Sequence, residues 1–111
     1  MTGEPICRLD ELADRECREF EWLCGDEVVS AFALRLGDEV VAYRNRCPHT
    51  GAPLNWLPQQ FLSYEQEFIQ CAIHGALFRL HDGLCLHGPC YGRSLEVIPL
   101  TIKAGVVSTK L

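Results

Sequence analysis

Residues 46–56 read RCPHTGAPLNW, and a second segment, residues 71–78, reads CAIHGALF. The first sets Cys47 and His49 two positions apart behind a strand-like run, EVVAYRN (39–45). Pro48 stiffens that loop, while Gly51 and Pro53 let its backbone fold tightly around a ligand. The second sets Cys71 and His74 three positions apart behind another strand-like run, EFIQ (67–70), with Gly75 directly after. Two strand ends that each offer a thiol and an imidazole suit a metal centre, the loops acting as two halves of a clamp. Spacing alone leaves the metal open. Cys85-Leu86-His87 repeats the Cys-x-His pattern without the same flanks, and a tetrahedral zinc ion held by Cys47, His49, Cys71 and His74 is a legitimate alternative to an iron–sulfur centre.

The rest of the chain narrows the choice. Its 111 residues, 48% of them apolar, suffice for one compact core and are too few for two, so a single domain over residues 1–111 is expected. Charged residues from Glu4 to Glu21 leave no room for the apolar stretch of a signal peptide, and no later run approaches the ~20 apolar residues of a membrane helix. A soluble, cytoplasmic protein with no membrane contact is expected. In that compartment seven cysteines stay reduced, and an odd count favours metal or redox chemistry over a disulfide framework. The formal net charge of -5 argues against nucleic acid, whose phosphates call for basic patches, and fits docking onto a basic protein partner.

Strand signals dominate. SAFALRL (30–36) puts Phe32, Leu34 and Leu36 on one face, Gly37-Asp38 makes a two-residue turn, and EVVAYRN returns. Gly25-Asp26 reads as an earlier turn of the same kind. In LEVIPLTIKAGVVS (95–108), Ile98, Leu100 and Ile102 share a face, and Ala104-Gly105 reverses the chain. Near the N-terminus one helical turn over Asp10–Ala13, capped by Asp10, is expected to precede a strand that includes Phe20 and Trp22.

RCPHTGAPL followed by CAIHGALF, a glycine turn at His81-Asp82-Gly83, and Gly88-Pro89 together resemble the Rieske [2Fe-2S] proteins, in particular the small soluble ferredoxin type, over roughly residues 5–105. The resemblance implies an all-β fold: a Rieske-like antiparallel β-sandwich or barrel with a small cluster-binding subdomain, about residues 46–91, whose two loops hold the cluster. It implies that Cys47 and Cys71 bind one iron and His49 and His74 the other, and that Gly88-Pro89 begins a third loop covering the cluster.

Mixed ligation has a physical consequence. Two ferric irons, two sulfides and two thiolates carry no net formal charge with neutral imidazoles, so an electron enters more readily than at a four-thiolate cluster, and potentials fall at roughly -150 to +300 mV. In Rieske proteins of quinol-oxidising complexes, a serine and a tyrosine after the second motif donate hydrogen bonds to sulfur, and a disulfide ties the two loops. The matching positions here are Ala76 and Phe78, and Ala52 and Ile73. These departures favour the low end of the range. The function implied is a one-electron carrier rather than an enzyme, taking electrons from a reductase and passing them to an oxygenase or similar acceptor. A relay or regulatory subunit of a larger redox enzyme is an alternative. An oxygenase catalytic component is disfavoured, because only His81 and His87 remain for a mononuclear iron site and no second domain is available to hold it.

Other residues have structural readings. Cys85 and Cys90 are expected as packed free thiols beside the cluster in preference to a second metal site or a redox-active pair, and Cys7, Cys17 and Cys24, in strand-like contexts, as small core hydrophobes. His81 reads as a solvated turn residue and His87 as structural. Arg44 and Arg46 read as a solvated strand face, and Trp56 and Leu57 as core unless exposed, in which case they form a docking patch.

Overall fold

The structure, a computed structural model, describes residues 2–24, 26–48, 54, 61–63, 66–71 and 75–110. Along these run β1 (Thr2–Arg8), a 3-10 turn (Leu9–Glu11), β2 (Cys17–Cys24), β3 (Glu27–Leu36), β4 (Glu39–Arg44), β5 (Phe68–Gln70), β6 (Leu77–Arg79), β7 (Cys85–His87), β8 (Leu100–Lys103) and β9 (Val106–Lys110). They form three antiparallel three-stranded sheets, ordered β2-β3-β4, β1-β9-β8 and β5-β6-β7. This is the all-β, antiparallel architecture expected, and the sheet of short strands, β5-β6-β7, packs in one core with Cys47 and Cys71.

The turns follow their residues. Leu36 pairs with Glu39 across Gly37-Asp38, where Gly37 takes a φ of 63° that its missing Cβ makes inexpensive. Cys24 pairs with Glu27, so the β2–β3 hairpin closes where Gly25-Asp26 was expected to turn; Gly25 itself lies outside the described residues.

Strand β3 is buried on both faces. Phe32, Leu34 and Leu36 pack with Tyr43, Cys47, Phe61, Ile69, Cys71 and Phe78 in the main core. On the opposite face, Ala31 and Ala33 pack with Ala42 and Ile98, flanked by half-buried Phe20 and Trp22. The alternation reading anticipated only the larger face. Alanine allows the second because the stretch after Leu95 lies close along the outer edge of β4, with Arg44 N–H donating to the Glu96 carbonyl at 2.9 Å and Ile98 N–H to that of Ala42 at 2.9 Å.

Two expectations need correction. The N-terminal helical turn covers Leu9–Glu11 rather than Asp10–Ala13, and Asp10 lies inside it. The Glu11 carboxylate instead accepts the Arg8 N–H at 2.7 Å, and Leu12 leaves the turn to be buried with Cys7 and Val107. The Arg35 guanidinium fixes the turn by donating to the carbonyls of Leu9 (3.1 Å) and Leu12 (2.6 Å). Secondly, the Ile98, Leu100, Ile102 stripe outruns the core: Ile98 is buried, but Ile102, on edge strand β8, is 39% exposed. Strand β1, not expected from the sequence, tolerates Pro5 because it too is a sheet edge, irregular in register on either side of that residue.

Sheets β2-β3-β4 and β5-β6-β7 meet at an aromatic joint. Phe32 stacks on Phe61 with ring centroids 4.0 Å apart, and the fully buried Tyr43 donates its hydroxyl to the Leu80 carbonyl at 2.8 Å. Tyr43→Phe leaves that carbonyl unsatisfied in an apolar interior, and urea unfolding should show a loss of about 1–3 kcal/mol. Alkaline pH tests the core independently. Burial, aided by the charge of Glu16, pushes the Cys17 thiol from its ordinary value of 9.0 to about 12. The folded state therefore favours the neutral thiol, a contribution fully present below pH 9 and lost as pH rises toward about 12. Denaturation midpoints should fall across that window, and less steeply in Cys17→Ala.

Candidate metal centre

The first ligand segment leaves β4 through Asn45 and Arg46 and buries Cys47 completely, at 0% exposure. Asn45 clasps the segment. Its backbone N–H donates to the Ser30 carbonyl at 2.9 Å, and its side-chain carbonyl accepts the Leu54 N–H at 2.8 Å. The Asn45 side chain thereby ties Asn45 to Leu54, nine positions further along the chain. The Pro48 carbonyl accepts from the Arg93 guanidinium at 3.3 Å, joining this loop to the stretch after β7.

The second segment leaves β5 at Cys71, also 0% exposed. Its backbone closes on itself: Cys71 N–H donates to the Ala76 carbonyl and Gly75 N–H to that of Cys71, both at 2.9 Å. Gly75, at a φ of 68°, permits the reversal. The pairing of β6 with β5 then holds Ala76 and Phe78, both buried, against the same core as the two cysteines.

The third loop lies directly on the second. At Gly88, φ 106°, a Cβ would stand 2.8 Å from Ala76 Cα and 3.0 Å from its Cβ, so only glycine allows the approach. Cys90 on this loop is buried and donates its thiol to Cys85 Sγ at 3.2 Å, while Cys85 Sγ donates to the His87 carbonyl at 3.1 Å. Burial, then the hydrogen bond to Cys85, pushes the Cys90 thiol up to about 12, and Cys90 also interacts with Cys47. Five free thiols, of Cys17, Cys47, Cys71, Cys85 and Cys90, therefore share one apolar core.

The expected ligands divide at this point. Cys47 and Cys71 are brought into that core as anticipated, whereas His49 and His74 lie outside the described residues, as do Ala52, Ile73, Trp56 and Leu57. Two buried thiols free of disulfides are the donors a [2Fe-2S] cluster needs on its thiolate iron, so the described half of the site fits such a cluster. Cys85, Cys90 and His87 do not add a second centre, since among the described residues no group of three or more His, Cys, Asp or Glu is placed to hold a metal ion. His81 and His87 are exposed, and Cys7 and Cys17 are core thiols as expected; the Cys24 side chain lies outside the description. Arg44 is not a free strand face: it is paired with Glu27 at 3.4 Å and Glu96 at 3.8 Å, while Arg46 is exposed. Reading the sequence missed Asn45 and Arg93. An Asn between a strand and a ligand loop is a usable signal for a loop clasp, but nothing local marks Arg93 as reaching Pro48.

Comparison with known proteins supplies the family. The Rieske [2Fe-2S] domain family matches residues 3–103. No curated protein matches the chain in sequence. Among solved structures, the ferredoxin of carbazole 1,9a-dioxygenase from Nocardioides aromaticivorans IC177 is similar at a TM-score of 0.74 and 21% identity, over 99% of this chain and 98% of that one. The Sphingomonas yanoikuyae B1 ferredoxin is similar at a TM-score of 0.69 and 22% identity, over 98% of each chain. The terminal oxygenase of carbazole 1,9a-dioxygenase from Novosphingobium sp. KA1 gives a TM-score of 0.78 at 21% identity, over 97% of this chain but 29% of that one. At these identities the structural likeness speaks to the fold, while the family match covers nearly the whole sequence. No described helix is long and apolar enough to cross a membrane. With both thiol donors buried in one core and the family match spanning the two ligand segments, the chain belongs to the Rieske [2Fe-2S] domain family.

Proposed function

We propose that this chain is a one-electron carrier, not an enzyme, whose [2Fe-2S] cluster is held by Cys47 and Cys71 on one iron and by His49 and His74 on the other. The observation that carries the proposal is the convergence of two fully buried free thiols, from two strand ends of a Rieske-family domain, on one apolar core. When bound, the cluster supplies a site that takes up and releases a single electron. The chain's own residues do the rest. Asn45 clasps the first loop, the Cys71–Ala76 hydrogen bond closes the second, and Gly88 brings the third loop into contact with Ala76. Phe78, Leu54 and Phe61 keep water from the thiolate side, where the neutral formal charge of the oxidised site favours reduction and the low dielectric, which disfavours the charged reduced state, opposes it. Residues 1–111 act as a single domain, and about residues 46–91, which include the β5-β6-β7 sheet, form its cluster-binding subdomain.

Electrons pass from a reductase to an oxygenase-type acceptor in this reading. It is supported by a solved complex of reduced oxygenase and oxidized ferredoxin in carbazole 1,9a-dioxygenase, whose matching chain is 21% identical over 96% of this one and 91% of its own length. The net charge of -5 suits a basic protein partner rather than nucleic acid, and a cytoplasmic setting keeps the cysteines reduced. The potential lies at the low end of the Rieske range, because buried Ala76 and Phe78 offer no hydroxyl to sulfur.

Iron, sulfide and zinc content of anaerobically purified protein, with an EPR spectrum after dithionite reduction, tests the carrier. About two irons and two sulfides per chain with a mixed-ligand spectrum are expected, whereas one zinc ion and no signal would replace the carrier with a structural module. His49→Ala and Cys71→Ala should each lose nearly all of the cluster signal and lower stability, because ligation closes the two loops. Ala76→Ser combined with Phe78→Tyr should raise the midpoint potential in protein-film voltammetry. An unchanged potential would mean that these positions do not face sulfur.

A further inference from the structure

We propose that Cys85 and Cys90 form a reversible dithiol–disulfide site in the third loop, a covalent modification separate from cluster ligation. Their sulfurs are already in contact at 3.2 Å. A disulfide bond is about 2.05 Å long, so closing it requires a shift of only about 1 Å. The backbone holds the pair in place. Cys85 N–H donates to the Arg93 carbonyl at 2.7 Å, Gly92 N–H to that of Cys85 at 3.2 Å, and Arg93 N–H to that of Cys90 at 2.9 Å. These bonds tie Cys85 to Gly92 and Arg93, and Arg93 back to Cys90, so the backbone keeps the two cysteines close together. Cys7, by contrast, is buried in a different core cluster with Leu12 and Val107, and Cys17 packs in the main core as a small hydrophobe.

Access is the second requirement. Cys85 and Cys90 are both buried, while the chain neighbours of Cys90, Pro89 and Tyr91, are exposed, so the loop must open locally to admit a small oxidant. Cys47 and Cys71 are committed as thiolates once metal is bound and do not compete for an oxidant.

The co-reactant is a low-molecular-weight disulfide. The Cys85 sulfur attacks it, its proton passing to the departing small thiol, and a mixed disulfide forms as one small thiol is released. The other cysteine attacks the mixed disulfide, closing the Cys85–Cys90 bond and releasing the second small thiol. One sulfur–sulfur bond breaks and one forms. The two protein thiols lose two electrons and two protons, which leave on the two small thiols.

Cys85 and Cys90 fall in one tryptic peptide, residues 80–93, with no other cysteine. Cluster-loaded protein is equilibrated anaerobically over a series of glutathione disulfide to glutathione ratios, quenched in acid, alkylated, digested and weighed. Peptide 80–93 should pass from doubly alkylated to largely unalkylated and two hydrogens lighter as the ratio rises, and return with excess glutathione. Cys85→Ser and Cys90→Ser should each lose the unalkylated form, while Cys7→Ser keeps it. Full double alkylation at every ratio, or glutathione adducts on single sulfurs without closure, would overturn the proposal. The wild-type titration decides the matter even if a serine variant fails to fold, and it reads sulfur chemistry independently of whether the metal is iron or zinc.

Discussion

The hydrogen bond from Tyr43 to Leu80 fixes the relation between the segments that carry Cys47 and Cys71. Tyr43 sits in β4, which leads within four residues to Cys47, while Leu80 follows β6, whose pairing with β5 positions Cys71. A shift at this joint would move one thiol relative to the other. The joint is closed from a third side by Gly83, where a Cβ would stand 3.0 Å from both the Tyr43 ring and Leu95, so no bulkier residue fits without displacing the tyrosine. One buried hydroxyl and one missing side chain thus set the geometry that two ligand loops rely on.

Charge contributes less than packing. Arg79 is paired with Asp82 and, through its hydrogen bond, holds that carboxyl down at about 2, yet the pair lies at the surface, where such contacts add little to stability. Its use is local, because Asp82 also accepts the Leu84 N–H at 3.1 Å and so shapes the turn that carries Gly83 to Tyr43. The same holds for Arg44, whose partners Glu27 and Glu96 are largely exposed but sit on segments flanking β4. Polar groups here direct the chain, and the apolar core supplies the free energy.

Much of this was legible beforehand. Period-two apolar runs with Gly-Asp between them specify the β3–β4 hairpin, since a slip of one residue would expose Phe32 and Leu34. Cys47 and Cys71 were readable because each follows a strand and is flanked by residues that bend tightly. Strand β1 was hidden because Pro5 and charged neighbours mask an edge strand that buries little. The exposure of Ile102 was hidden because alternation reports a face and not how far the core extends beneath it. The contacts of Asn45, Arg93 and Tyr43 were not legible, since each joins segments 9 to 45 positions apart and depends on the completed topology.

Burial of β3 on both faces also shapes how the molecule opens. Its central amides are bonded to β2 on one side and β4 on the other, with Phe32 and Ala33 both sealed from water. No partial opening exposes them, so their hydrogen exchange proceeds only through global unfolding, while the short β6–β7 pairing beside the ligand loops exchanges through local fluctuations. The domain thus divides into a slow-exchanging slab, from which the chain leads to Cys47, and a more yielding rim whose strand β7 begins at Cys85.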